Sequence, residues 1–183
     1  MNYKNRKNNL CYKIIDSLYF GKFAKRSKVP YINHIDEGLI ILDEIGASKI
    51  AKEAYCLHPV FQDDMELLST FNLLSIESYS LDLISKRVLI LSMEYRNIAN
   101  AYLSNREIDD VSLIELSPLK DVNDMLIADK VQNKKDFDIY HKGNHKRSGE
   151  LNIYFNNWLT RLNITGLRYL ELIDKVDKGI SNE

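Results

Sequence analysis

Four histidines are few enough in this chain to weigh one at a time, and two of them have a setting suited to chemistry. His34 follows Pro30-Tyr31-Ile32-Asn33 at the start of a helical pattern, and His58 closes another. Ala54 and Ala51 precede His58 by four and seven residues, so they share its helix face. Small residues there let a second helix approach closely, which a buried site between helices needs and ordinary packing also uses. Asp129 lies in Met125-Leu126-Ile127-Ala128-Asp129, an otherwise apolar turn. A carboxylate on a core-facing stripe must pair or bind a cation, and Asn133 shares its face at i+4. Two imidazoles and a carboxylate from three helices form a mixed nitrogen and oxygen set, better suited to Mn, Fe, Zn or Co than to Ca or Mg. The same residues also fit a plainer arrangement: two hydrogen-bonded structural histidines and a surface aspartate paired with Lys130 or Lys134. His141 and His145 fall in the basic stretch His141-Lys142-Gly143-Asn144-His145-Lys146-Arg147-Ser148, where solvent is the default environment.

Two further groups admit a ligand-binding role. Arg96 and Asn100 share a face at i, i+4, either as a polar wall of a pocket or as a buried network reaching Glu94 or Asp129. The run Lys130, Lys134, Lys135, Lys142, Lys146 and Arg147 either steers a polyanion or is a solvated face interleaved with Asp136 and Asp138.

The elements that position these residues follow from apolar periodicity, which is mostly three and four. A first helix is expected over about Asn9–Lys25, with Leu10, Ile14, Leu18 and Phe23 inward. A second spans Tyr31–Ile45 on a stripe of Ile32, Ile35, Leu39 and Leu42, with Gly46 as its stop. A third runs Lys49–His58, capped by Ser48 and blocked by Pro59. A short helix at Asp64–Leu74 precedes a long one at Leu81–Leu103, striped by Ile84, Val88, Leu91 and Tyr95. Glu107–Ser117 reads as a strand or a helical turn. Helices at Leu119–Tyr140, Gly149–Leu162 and Leu167–Val176 complete an all-α domain of roughly seven helices, with residues 163–183 as a C-terminal helix and tail.

Composition bounds the alternatives. The 183 residues are 45% apolar and 28% charged, the proportions of one soluble globular domain, expected here to be residues 1–183. A formal net charge of −1 offers no global attraction to nucleic acid or to an anionic membrane. Cys11 and Cys56 form no CxxC motif, which suits a reducing, cytoplasmic setting. The polar, basic N-terminus lacks the apolar segment of a secretory signal, and no run of apolar residues reaches membrane-spanning length.

Taken together, Arg26-x-x-x-Pro30-Tyr31-Ile32-Asn33-His34, Ala54-x-x-Leu57-His58, Ala128-Asp129-Lys130-x-x-Asn133 and Tyr154-Phe155-Asn156-Asn157-Trp158 resemble the hydrolase domain of RelA/SpoT-type alarmone enzymes and their small single-domain relatives. Those are HD-domain phosphohydrolases, and the resemblance covers about residues 22–162. It implies an HD-like helical bundle holding one divalent ion, usually manganese, with His34, His58 and Asp129 as ligands. It implies Arg26, Lys130, Asn133 and Tyr154 around the substrate. The implied reaction removes pyrophosphate from the 3′ position of a guanosine or adenosine nucleotide. The departures are as specific as the matches. The family's His-Asp pair is His58-Pro59 here, its Glu-Asp pair is Gln62-Asp63, and its arginine four residues before the tyrosine is Glu150. Ile35 replaces the proline after the first histidine. Gln62 and Asp63 thus occupy the catalytic positions, with Asp63 as the group able to handle a proton. The alternative is an inactive nucleotide- or partner-binding module of the same fold. The Asn, Lys and Ile content, typical of low-GC bacterial and phage genomes, would fit a phage protein acting on host signalling.

Overall fold

The computed structural model describes residues 3–65, 67–68, 83–102, 110–164 and 166–181. Among these the chain is all-α, with seven α-helices and no strand. They are α1 (Leu10–Tyr19), α2 (Ile32–Glu44), α3 (Lys49–Gln62), α4 (Lys86–Ala101), α5 (Lys120–Asp136), α6 (Ser148–Arg161) and α7 (Leu167–Ile180). Helix α5 is the central element and packs on α2, α3, α4, α6 and α7. Buried apolar side chains from all seven helices join one contiguous core, with Ile15, Leu42, Tyr55, Leu91, Met125, Trp158 and Leu172 almost fully enclosed. No helix is long and apolar enough to cross a membrane among the described residues.

Local chemistry explains most of the boundaries. Asn9 caps α1 by accepting from the N–H groups of Cys11 and Tyr12, and Ser48 caps α3 by accepting from Ala51. After α2, Gly46 takes φ +68°, which lets the Ala47 N–H reach back 2.9 Å to the Leu42 carbonyl. Asn163 does the same after α6, at φ +58°, with the Ile164 N–H on the Leu159 carbonyl.

Three boundaries differ from the periodicity. Helix α1 ends at Tyr19, not near Lys25, because Gly21 adopts φ +69° and the chain turns into a loop. That loop closes on itself through an Ala24–Val29 and a Lys22–Tyr31 backbone bond and a Phe23–Pro30 bridge, leaving Phe23 exposed, not inward. Helix α3 runs through Pro59 to Gln62 and does not stop at His58. Proline removes only one helical hydrogen bond, and the apolar burial of Val60 and Phe61 holds the last turn in place. Helix α5 continues beyond Asp136 as a π-turn, Phe137–His141, and so ends where the periodicity places it, near Tyr140. Residues 111–113 form a single 3-10 turn, so the ambiguous 107–117 segment is no strand where it is described. The short helix expected at Asp64–Leu74 lies largely outside the described residues, whereas the long helix begins at Lys86 and not at Leu81, because Ser85 is non-helical at its N-cap, ψ 131°.

Candidate metal centre

His34 comes from the first turn of α2, His58 from the penultimate turn of α3 and Asp129 from the middle of α5. The contacts among these three helices make the side chains meet. The small face of α3 lets α4 approach so closely that Ser92 Oγ reaches the Ala54 carbonyl at 3.3 Å. On the other side of α3, the Tyr55 ring fills the gap left by Gly38, and its hydroxyl donates to the His34 carbonyl at 3.2 Å.

The donor atoms of the three residues converge. His34 Nε2 is 3.1 Å from His58 Nε2. Asp129 Oδ1 is 3.5 Å from the first and 3.7 Å from the second. Three ligands bound to one ion at about 2.0–2.2 Å stand about 3.0–3.5 Å apart, so the triangle nearly has the size of a coordination face.

The outer hydrogen bonds assign the protons. His58 Nδ1 lies 2.6 Å from the Tyr55 carbonyl, which can only accept, so Nδ1 carries the hydrogen. His34 Nδ1 lies 2.6 Å from Gln132 Oε1. The Gln132 amide is oriented in turn, since its nitrogen donates to Glu37 at 3.1 Å and to Asp136 at 2.9 Å. His34 Nδ1 is therefore also a donor. Both rings turn Nε2 lone pairs toward each other and toward a carboxylate oxygen. Three acceptors at one point repel unless a proton or a cation stands among them. Burial depresses the His58 pKa to about 3, which leaves that imidazole neutral. The donor set therefore fits a divalent transition metal, with two imidazoles and one carboxylate as ligands and open positions toward the cleft.

The carboxylate is held on both oxygens. Asn133 Nδ2 donates to Asp129 Oδ1 at 2.7 Å, and Lys130 Nζ sits 2.7 Å from Oδ2. Burial alone would raise the Asp129 pKa, but the Lys130 ammonium beside it outweighs burial and holds the group ionised, well below the usual carboxylate range. Lys130 is itself buried, and Asp129 outweighs that burial and keeps it protonated. Its ammonium lies 5.2 Å from the Trp158 ring and 5.7 Å from the Tyr154 ring. Tyr95, whose ring packs 4.8 Å from that of His58, closes the α4 side.

A cleft of about 360 Å³ opens on this triangle, lined by Tyr19, Tyr31, His34, His58, Pro59, Gln62, Asp129 and Asn133. The site residues expected from sequence separate into three groups. His34, His58, Asp129, Asn133 and Gln62 come together on the cleft. Lys130 and Tyr154 lie behind Asp129 in the core and support it. Arg26, Asp63 and Arg96 lie elsewhere. Asp63 ends α3 and accepts from the Met65 N–H at 2.8 Å. Arg96 donates to the Phe61 carbonyl at 2.9 Å and pairs with Asp64, not with Glu94 or Asp129, while Asn100 bonds Gln62. The Arg96–Asn100 face thus clasps the end of α3. Arg26 lines a second pocket of about 290 Å³ with Tyr140, His141, Asn144, His145 and Lys146. Glu150 is neutralised by Arg147 at 2.7 Å.

Asp129 does pair with Lys130, but in the core and not at the surface. Lys134 pairs with Asp138, and Lys135 with buried Glu37 at 2.8 Å, so part of the basic run is structural. Sequence reasoning missed Gln132 and the two cleft tyrosines. The signal for Gln132 was its place three residues after Asp129, on the same side of α5. Compared with known proteins, the chain matches no family model, no curated protein and no solved structure.

Proposed function

We propose that this protein is a divalent-metal-dependent phosphohydrolase of HD type acting on a nucleotide, with a 3′-pyrophosphorylated nucleotide as the substrate class that the sequence resemblance suggests. The observation that carries the reading is the meeting of two Nε2 lone pairs and a carboxylate oxygen from three helices, each oriented by its own outer hydrogen bond. Manganese is the first candidate, with Zn, Fe or Co as alternatives of the same ligand chemistry. A bound dication supplies an acidified water and a positive charge for phosphate oxygens. Within the chain, Asn133 and Lys130 fix the Asp129 carboxylate, and Gln132 and the Tyr55 carbonyl fix the imidazoles. Tyr19 and Tyr31, in edge contact at 5.4 Å between centroids, offer aromatic surface for a base at the cleft mouth. Two buried, unpaired cysteines agree with a reducing, cytoplasmic setting.

One observation favours the alternative of binding without turnover. Among the described residues no lysine or arginine lines the cleft, and Asp129, the only carboxylate among them there, is committed to Lys130 and Asn133. A panel of 3′- and 5′-phosphorylated nucleotides with Mn²⁺, Co²⁺ or Zn²⁺ separates the two. Metal-dependent release of phosphate or pyrophosphate, abolished in His58→Ala, supports hydrolysis. A rise in melting temperature with a nucleotide and no product supports the binding module. Neither response, with metal loaded, removes both.

A further inference from the structure

Pro59 sits inside α3, three residues before its end. A proline in a helix has no N–H for the carbonyl four residues back, and its ring pushes that carbonyl away from the helix axis. The carbonyl four residues back is that of Tyr55. It is also the acceptor that His58 Nδ1 meets at 2.6 Å. The place that a backbone N–H at residue 59 would occupy is therefore taken by the neighbouring imidazole. His58 is 2% exposed, so water cannot readily supply another acceptor. Its ring is further confined by Tyr55 at 4.6 Å and Tyr95 at 4.8 Å between centroids.

We propose that Pro59 is a positioning residue: by withholding an N–H from the Tyr55 carbonyl, it reserves that oxygen for His58 Nδ1 and so presents the His58 Nε2 lone pair to the metal position. The last step rests on the metal reading above, whereas the hydrogen-bond assignment stands without it. Proline at this place exchanges helix stability for the orientation of one ligand. An alanine at 59 restores a donor to the Tyr55 carbonyl, and the imidazole must then share it or turn. A purely structural proline would behave otherwise, since its removal would improve the helix and leave the histidine as it was.

The test is Pro59→Ala, read in three ways on the full chain. The melting temperature of the metal-free variant rises, because alanine suits a helix interior. Histidine ¹⁵N NMR of the metal-free protein shows His58 as a single Nδ1–H tautomer in the wild type and as a mixture in the variant. Calorimetric titration with Mn²⁺ and with Zn²⁺ shows affinity falling about 10- to 100-fold, the usual effect of losing a ligand's outer partner. Ser48→Ala is the control: it weakens the α3 cap and lowers the melting temperature, with tautomer and metal affinity unchanged. A variant that keeps the single Nδ1–H tautomer and wild-type affinity overturns the proposal. Wild-type protein that binds neither metal removes the metal reading, while the tautomer comparison still decides what Pro59 does to His58.

Discussion

Asp129 and Lys130 are adjacent in sequence, both ionised and both enclosed, with Nζ 2.7 Å from Oδ2. Removing one member of such a pair strands the other in a low-dielectric interior, which typically destabilises by about 3–5 kcal/mol. Asp129→Asn is expected to lose stability on this scale in the metal-free protein, measured by urea unfolding, in addition to losing a ligand. The pH dependence follows from His58. Its folded pKa of about 3 lies below the ordinary histidine value, so the unfolded chain takes up a proton that the folded one refuses. Stability from this group is complete above pH 6.5 or so and declines as pH falls toward 3, by at most about 1.4 kcal/mol per unit. The Asp129 contribution persists further, because its folded pKa is depressed, and is lost only below about pH 4. Urea unfolding of metal-free protein at pH 7 and pH 5 should show the first decline, and His58→Gln should flatten it. The meeting of His34, His58 and Asp129 was legible because a carboxylate inside an apolar turn demands a partner. The burial of its Lys130 pair was not, since i, i+1 neighbours on a helix do not face each other by default, and the pairing read from sequence was a surface one.

At the scale of elements, the site depends on how closely α2 and α3 approach. A Cβ on Gly38 would stand 2.1 Å from the Tyr55 hydroxyl and 2.3 Å from its ring. Gly38→Ala therefore sets two effects against each other. Alanine favours a helix by about 1 kcal/mol, while forcing the Tyr55 ring aside costs about 1–3 kcal/mol or more. The clash dominates because the ring is fully buried between helices. The expected result is a lower melting temperature and weaker Mn²⁺ binding, since Tyr55 contacts both histidines. Periodicity located seven helices but misjudged two ends. Gly21 stopped α1 early through its backbone conformation, which a stripe of apolar residues does not encode. Pro59 did not stop α3, because the rule that prolines end helices weighs the lost hydrogen bond and omits the burial of Val60 and Phe61 beyond it. The Asn163 stop after α6 was readable in principle, as asparagine tolerates positive φ better than most residues.

Across the whole molecule, charge is balanced but unevenly placed. Among the described residues the cleft has aromatic and amide walls and no lysine or arginine, while Arg26, His141, His145 and Lys146 gather around a separate pocket. The 20–31 loop connects the two, with Tyr31 at its base in the cleft wall and Arg26 near its tip. A polyphosphorylated nucleotide, the substrate class proposed above, would meet this loop's field on its way to the cleft. Arg26→Ala is expected to raise KM for a polyphosphorylated nucleotide about fivefold with kcat unchanged, an effect of about 1 kcal/mol that fades at high salt. Initial rates at low and high ionic strength check this, and an equal loss in kcat would place Arg26 in the chemistry instead. The all-α architecture was plain from the helical period, whereas the distribution of cations between two pockets depends on loop conformation.

The most direct measurement is the metal stoichiometry of the purified protein, by elemental analysis after saturation with Mn²⁺ and removal of excess. The expected result is one ion per chain, a melting temperature raised by the metal and lowered again by chelator, and loss of the ion in His34→Ala, His58→Ala and Asp129→Asn alike. A protein that takes up no divalent ion, or one whose ion survives all three substitutions, contradicts the claim that these side chains form a metal centre.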